Sequence, residues 1–115
     1  MTVTVTSHFR GREPSVRATY DAILKAARSL GSVREEAKKT SIHLCRSTAF
    51  AEIAARRSAL VLTLKSARDI AHPRIRKREQ ASTHRWHVEI KLEKPSEVDA
   101  QLKQWLAEAY GLSGA

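Results

Sequence analysis

The chain has 115 residues, one cysteine and a formal net charge of +9, with 42% hydrophobic and 29% charged residues. This length and composition indicate a single globular domain over residues 1–115, and one cysteine excludes an intramolecular disulfide. No apolar run approaches the ~20 residues that a membrane-spanning helix needs, and the N-terminus lacks the pattern of a signal peptide. We therefore expect a cytoplasmic protein with no membrane partner.

The first predicted helix follows Pro14, a residue that favours the first turn of a helix. Apolar residues then recur at helical spacing on one face: Val16, Tyr20, Ile23, Leu24, Ala27 and Leu30. Gly31 is expected to end this helix. Residues 1–12, which precede it, are expected to form a flexible N-terminal segment.

Alternating apolar residues predict four strands after this helix. The first three are joined by short turns, which favours an antiparallel meander, and they cover residues 40–45, 50–54 and 60–65. Residues 66–83 lose the alternation, contain Pro73 and are predicted to form a basic loop. The clearest alternation runs over 84–92 and predicts the fourth strand, with Trp86 in the core.

A second helix is predicted near the C-terminus, after Pro95. Ser96 is its expected N-cap, with Asp99 three residues on, and Gly111 is its expected end. One-sided strands and one-sided helices bury each other best in two layers. We therefore predict an α+β fold, a two-layer sandwich with a four-stranded, mainly antiparallel sheet and two helices on one face. The predicted order is α-β-β-β-loop-β-α.

Five segments of the chain together resemble a bacterial family. They read His8-Phe9-Arg10-Gly11, Lys38-Lys39-Thr40, Phe50-Ala51-Glu52-Ile53, Leu60-Val61-Leu62-Thr63-Leu64-Lys65 and Val88-Glu89-Ile90-Lys91-Leu92. With this pattern, from about His8 to Gly111, the chain resembles domain of unknown function 5655, also described loosely as a predicted transport protein. That family tends to carry glycine and His-Trp-like residues before its last strand, where this chain has Ser82-Thr83-His84-Arg85-Trp86. The resemblance implies an accessory or binding module rather than an enzyme, and no catalytic residue carries over from it.

The positive charge is concentrated in the middle of the chain. Residues 34–65 and residues 66–85 each carry a net charge of +4, whereas the last thirty residues carry −2. A basic face favours a polyanion, so we predict that DNA or RNA binds through its phosphates, which arginine can hold with two hydrogen bonds. The predicted contacts are five residues of the basic loop, Arg85 just after it, and four residues elsewhere: Arg68, Arg74, Arg76, Lys77, Arg78, Arg85, Lys38, Lys39, Arg56 and Arg57.

Other interpretations fit the same residues. The basic loop can be a solvated surface segment. The domain can also be a protein-interaction or small-ligand-binding module without nucleic acid. An acidic protein would then bind the basic face, or a small ligand would bind the outer sheet face around Ser41, His43 and Cys45. The acidic last helix also leaves self-association open.

We predict neither a catalytic site nor a metal site. The chain has no G-x-S-x-G, Walker A, G-x-G-x-x-G or H-E-x-x-H motif. His43 and Cys45 share one strand face, but a tetrahedral zinc site needs three or four ligands and there is no second cysteine. We therefore expect a non-catalytic binding module without a cofactor.

Overall fold

The computed structural model describes residues 3–114. A 3-10 turn, Thr6–Phe9, precedes helix α1 (Pro14–Arg28), and a second, Pro95–Glu97, precedes helix α2 (Ala100–Leu112). Between the helices lie six strands: β1 Arg34–Ala37, β2 Ile42–Cys45, β3 Ala49–Ala55, β4 Leu60–Ser66, β5 Lys77–Ser82 and β6 Arg85–Leu92. No helix in this part of the chain is long and apolar enough to cross a membrane.

The six strands form one sheet in the order β1-β2-β3-β4-β6-β5, with every neighbouring pair antiparallel. Both helices pack on one face of this sheet, where β4 presents the alternating buried side chains of Leu60, Leu62 and Leu64. Tyr20 of α1 and Leu102 of α2 are fully buried in the same core. The predicted α+β class, with two helices and an antiparallel sheet, is confirmed. We call the opposite side of the sheet, which receives neither helix, the outer face.

The predicted four-stranded sheet and its element order are wrong, because neither edge strand shows the alternation of apolar residues from which strands were predicted. Strand β1 reads Arg-Glu-Glu-Ala and pairs with β2. Strand β5 occupies the second half of the predicted loop over 66–83, pairs with β6, and has all six residues exposed. An edge strand is held by backbone hydrogen bonds along one side and does not need an apolar face, so alternation of side chains does not reveal it.

Trp86 is half-buried, and is not the core residue that the alternation predicts. Val88 and Ile90, which share its face of β6, are buried. Trp86 instead has Ser66 of β4 and Gln80 of β5 as its cross-strand neighbours. It lies at the margin of the core because these neighbours offer little apolar surface to cover an indole ring.

The N-cap of α2 is Asp99 and not Ser96. Ser96 lies in the preceding 3-10 turn, where the Glu97 carboxylate accepts two backbone hydrogen bonds at 2.6 and 3.0 Å. Asp99 Oδ1 accepts the backbone N–H of Leu102 at 3.0 Å, which satisfies one of the free donors at the start of the helix. This hydrogen bond holds the pKa of the Asp99 carboxyl below its usual range.

Asp99→Ala is expected to lower the free energy of unfolding by about 1 kcal/mol at neutral pH, since it removes this cap. Because the pKa of Asp99 is lowered in the folded state, the stabilisation is fully present above the ordinary pKa of aspartate. It is lost as the pH falls through the lowered value. Urea unfolding of both proteins at neutral pH and at about pH 2 should show the difference shrinking in acid. Asp99→Asn, which keeps a capping oxygen, is the control and should lose less. A deficit of Asp99→Ala that is equal at both pH values would contradict this account.

Candidate functional site

The predicted basic loop is not a free cationic arm. Arg74 donates to Asp99 Oδ1 at 2.8 Å and to the carbonyl oxygen of Glu97 at 2.7 Å, which ties the loop to the start of α2. The other four cations between residues 68 and 78 each have an acidic neighbour: Arg68 has Glu108 (3.5 Å), Arg76 has Glu89 (3.4 Å), Arg78 has Asp69 (3.3 Å) and Lys77 has Glu79 (4.0 Å).

These ion pairs cancel most of the charge of the loop. Five cations face five carboxylates within 4.0 Å, so an anion outside the loop meets closely spaced opposite charges. Strand β5 also divides the cations, because successive side chains of a strand lie on opposite faces, as Lys77 and Arg78 do. Exposed ion pairs stabilise the fold little. They do lower the positive potential that a polyanion would need.

Arg85, the predicted contact just after the loop, lies at the start of β6. Its Nη1 donates to the carbonyl oxygen of His84 at 2.9 Å, and it has no ion pair within residues 3–114. The register pairs Ser66 with Trp86, so Arg85 lies at the end of the sheet where β4 finishes. It is therefore remote from the turn that precedes β4.

The remaining four predicted contacts lie together at that other end of the sheet. Lys38 and Lys39 belong to the turn between β1 and β2, and Arg56 and Arg57 belong to the turn between β3 and β4. In each turn a backbone hydrogen bond of 2.8 Å closes the connection. Lys38 is paired with Glu36 at 3.3 Å. Lys39, Arg56 and Arg57 have no ion pair in the described part of the chain.

A cleft of about 400 Å³ opens between these turns and the segment before α1, and we call it the basic cleft. Three cations line it: Arg12, Lys39 and Arg56. Its other lining residues carry no acid: Val3, Ser7, His8, Thr40 and Ala55. Among the described residues, the basic cleft thus combines positive charge with hydroxyl groups and an imidazole, without the carboxylates that neutralise the loop.

Two hydrogen bonds hold the walls of the basic cleft in place. His8 Nε2 lies 2.8 Å from the carbonyl oxygen of Lys38, so this nitrogen carries a proton and donates it. The backbone N–H of Glu13 donates to the carbonyl oxygen of Arg57 at 2.8 Å, while the Glu13 side chain is exposed. These contacts join the N-terminal segment to both turns and place Arg12 opposite them.

The sequence reasoning missed the N-terminal side of this cleft, namely Ser7, His8 and Arg12, and also Thr40. Within residues 3–12 the chain forms the turn Thr6–Phe9, and the ring of Phe9 packs against Tyr20 with centroids 5.2 Å apart. The available signal was the charge of Arg10 and Arg12, which directly precede the first helix. No local pattern indicated which of the basic turns these arginines would meet.

The residues considered for a ligand on the outer face are mostly covered. Ser41 and Cys45 are only 5% and 3% exposed, whereas His43 is half-buried. Burial raises the pKa of the Cys45 thiol, which keeps it protonated and weakly nucleophilic at neutral pH. Within residues 3–114, no three His, Cys, Asp or Glu side chains converge as a metal site would require.

Comparison with known proteins identifies the family. A family model described as "Domain of unknown function (DUF5655)" matches residues 5–113, which include both helices, all six strands and most of the basic cleft. No curated protein and no solved structure matches the chain. Since the match covers nearly the entire sequence, this protein belongs to the family of domain of unknown function 5655.

Proposed function

We propose that this domain binds nucleic acid through its phosphates, and that the basic cleft is the binding site. The observation that carries the proposal is the cleft itself, in which Arg12, Lys39 and Arg56 have no ion pair among the described residues and no acidic residue lines the wall. Unpaired cations can bind a phosphate without first giving up an acidic neighbour. The paired cations of the loop must first lose an acidic neighbour.

Contacts to phosphate, rather than to bases, fit the residues that line the cleft. Guanidinium, ammonium and hydroxyl groups are the usual partners of phosphate oxygens. Stacking on bases needs an exposed aromatic ring. Among the described residues, the nearby ring of Phe9 packs against Tyr20, and Trp86 lies at the opposite end of the sheet. We therefore expect binding with little dependence on nucleic-acid sequence.

The test is fluorescence anisotropy of short labelled single-stranded DNA and RNA at several salt concentrations. The variant Arg12→Gln/Lys39→Gln/Arg56→Gln is expected to weaken binding by at least about tenfold. It should also flatten the slope of log affinity against log salt by about 2, since each lost contact to a single strand contributes about 0.7. The loss should be equal for different sequences.

A matched control removes the same amount of charge from the loop. Arg76→Gln/Lys77→Gln/Arg78→Gln also lowers the formal net charge from +9 to +6, and we expect it to change affinity much less. Equal losses in the two variants would show that net charge alone drives binding. Absent or salt-insensitive binding by the unmodified protein would also overturn the proposal and leave an acidic protein as the occupant of the cleft. Competition with inorganic phosphate separates a site for free phosphate from one for nucleic acid.

A further inference from the structure

The outer face of the sheet carries a second concave site, a depression of about 230 Å³ across β2, β3, β4 and β6, which we call the outer depression. Residues 49–51 of β3 supply an apolar part of its lining. Five polar residues also line it: His43, Glu52, Thr63, Lys65 and His87. The basic cleft shares none of these residues, so the two sites are separate.

An irregularity in the sheet creates the outer depression. Leu44 of β2 pairs with Ala51 and Cys45 pairs with Ala49, which leaves Phe50 between them without a partner. Phe50 is 1% exposed, and its ring packs edge-on against Tyr110 of α2 with centroids 5.3 Å apart. A bulge of this kind redirects a side chain. Here it removes a large ring from the outer face and leaves two alanines beside the gap.

The side chain of Lys65 lines this depression, and its ammonium group has unused binding capacity. Its Nζ donates to Thr48 Oγ1 at 3.0 Å and to Ser113 Oγ at 3.1 Å. An ammonium group has three donors, so one remains without an acceptor within residues 3–114. No ion pair neutralises Lys65 in that part of the chain, and burial, followed by the charge of Arg85, lowers its pKa. A carboxylate would supply both the acceptor and the opposite charge.

We infer that the outer depression binds a small monocarboxylate with an apolar body. The carboxylate accepts the third hydrogen bond of Lys65, and the apolar body covers the floor at residues 49–51. Glu52 also lines the depression and repels an anion in proportion to its charge, so it disfavours phosphates and nucleic acid more than a monocarboxylate. The predicted ligand is thus chemically distinct from the one proposed for the basic cleft.

Benzoate is a suitable probe, with uncharged benzyl alcohol as its control. NMR titration of the isotope-labelled full chain should show saturable shifts with benzoate for amides of β3 and β4 around the depression. Benzyl alcohol should bind at least about tenfold more weakly, because it lacks the charge that pairs with Lys65. Lys65→Met, which keeps the apolar stem, should weaken benzoate binding by a similar factor.

A second pair of variants tests the cavity without changing Lys65. Ala49→Leu fills the depression and should abolish benzoate binding. Ala54→Leu adds the same side chain to β3 outside the depression and should leave benzoate binding unchanged. The cleft variant Arg12→Gln/Lys39→Gln/Arg56→Gln should bind benzoate normally. Equal affinity for benzoate and benzyl alcohol, or unchanged binding by Ala49→Leu, would overturn the inference. If Lys65→Met does not fold, the alanine variants decide.

Discussion

Phe50→Ala is expected to lower the free energy of unfolding by about 3–5 kcal/mol, the range typical of a fully buried phenylalanine. The ring is 1% exposed and packs edge-on against Tyr110, so its removal leaves a cavity between the sheet and α2. Rigid neighbours on two layers limit collapse into that cavity, which adds a cost beyond the lost apolar burial.

Urea unfolding measures this effect, with Val61→Ala as the control. Val61 is half-buried in β4, on the outer face, where loss of two methyl groups leaves no enclosed cavity. Its replacement should cost less than about 1 kcal/mol. A loss for Phe50→Ala as small as that for Val61→Ala would mean that the ring does not join the sheet to α2. The explanation of the outer depression would then fail as well.

Gly31→Ala is expected to destabilise the protein by about 2–4 kcal/mol through strain and overlap together. Gly31 has a φ of +151°, which side-chain-bearing residues rarely adopt. A Cβ atom there would overlap the hydroxyl oxygen of Tyr110. That hydroxyl cannot move away cheaply, because it donates to the carbonyl oxygen of Ser32 at 3.0 Å and the residue is buried.

A double-mutant cycle separates the overlap from the strain. Tyr110→Phe alone should cost about 1 kcal/mol through the lost hydrogen bond. In Gly31→Ala/Tyr110→Phe the closest side-chain atom is the ring carbon at 3.3 Å, so the combined loss should be smaller than the sum of the single losses. Gly11→Ala is the control for strain alone, since Gly11 has a φ of +69° and no atom within 4 Å of the added Cβ. The overlap would be contradicted if Gly31→Ala and Gly11→Ala lowered the free energy of unfolding equally and the effects in the double-mutant cycle were additive.

The predictability of the fold differs between its central and its edge elements. Strands β2, β3, β4 and β6 form the centre of the sheet, and the helices cover one face of it. Burial of that face requires an apolar residue at every second position, so the alternation in the sequence predicts these strands. The edge strands β1 and β5 experience no such constraint. The start of α2 is decided by geometry at a few atoms, where Asp99 and not Ser96 reaches a free backbone donor.

The candidate site was predicted only in part, because its residues come from distant parts of the chain. Lys39 and Arg56 could be nominated from the basic composition of two turns. Their meeting with Arg12 depends on how the N-terminal segment crosses the end of the sheet, through the contact of His8 with Lys38. The ion pairs that neutralise the basic loop could not be predicted from the sequence either, since Arg74 and Asp99, for example, are 25 residues apart.

The sequence by itself determined both helices, the four central strands, the α+β class and the positive sign of the net charge, because hydrophobic periodicity and charge counts are local or additive properties. Only the tertiary structure decided which cations remain unpaired, how the edge strands complete the sheet, and where a redirected Phe50 leaves a depression. Electrostatic interaction and packing depend on distances in space. The interacting residues are far apart in the chain, so no periodic pattern along the sequence indicates that they are close in space.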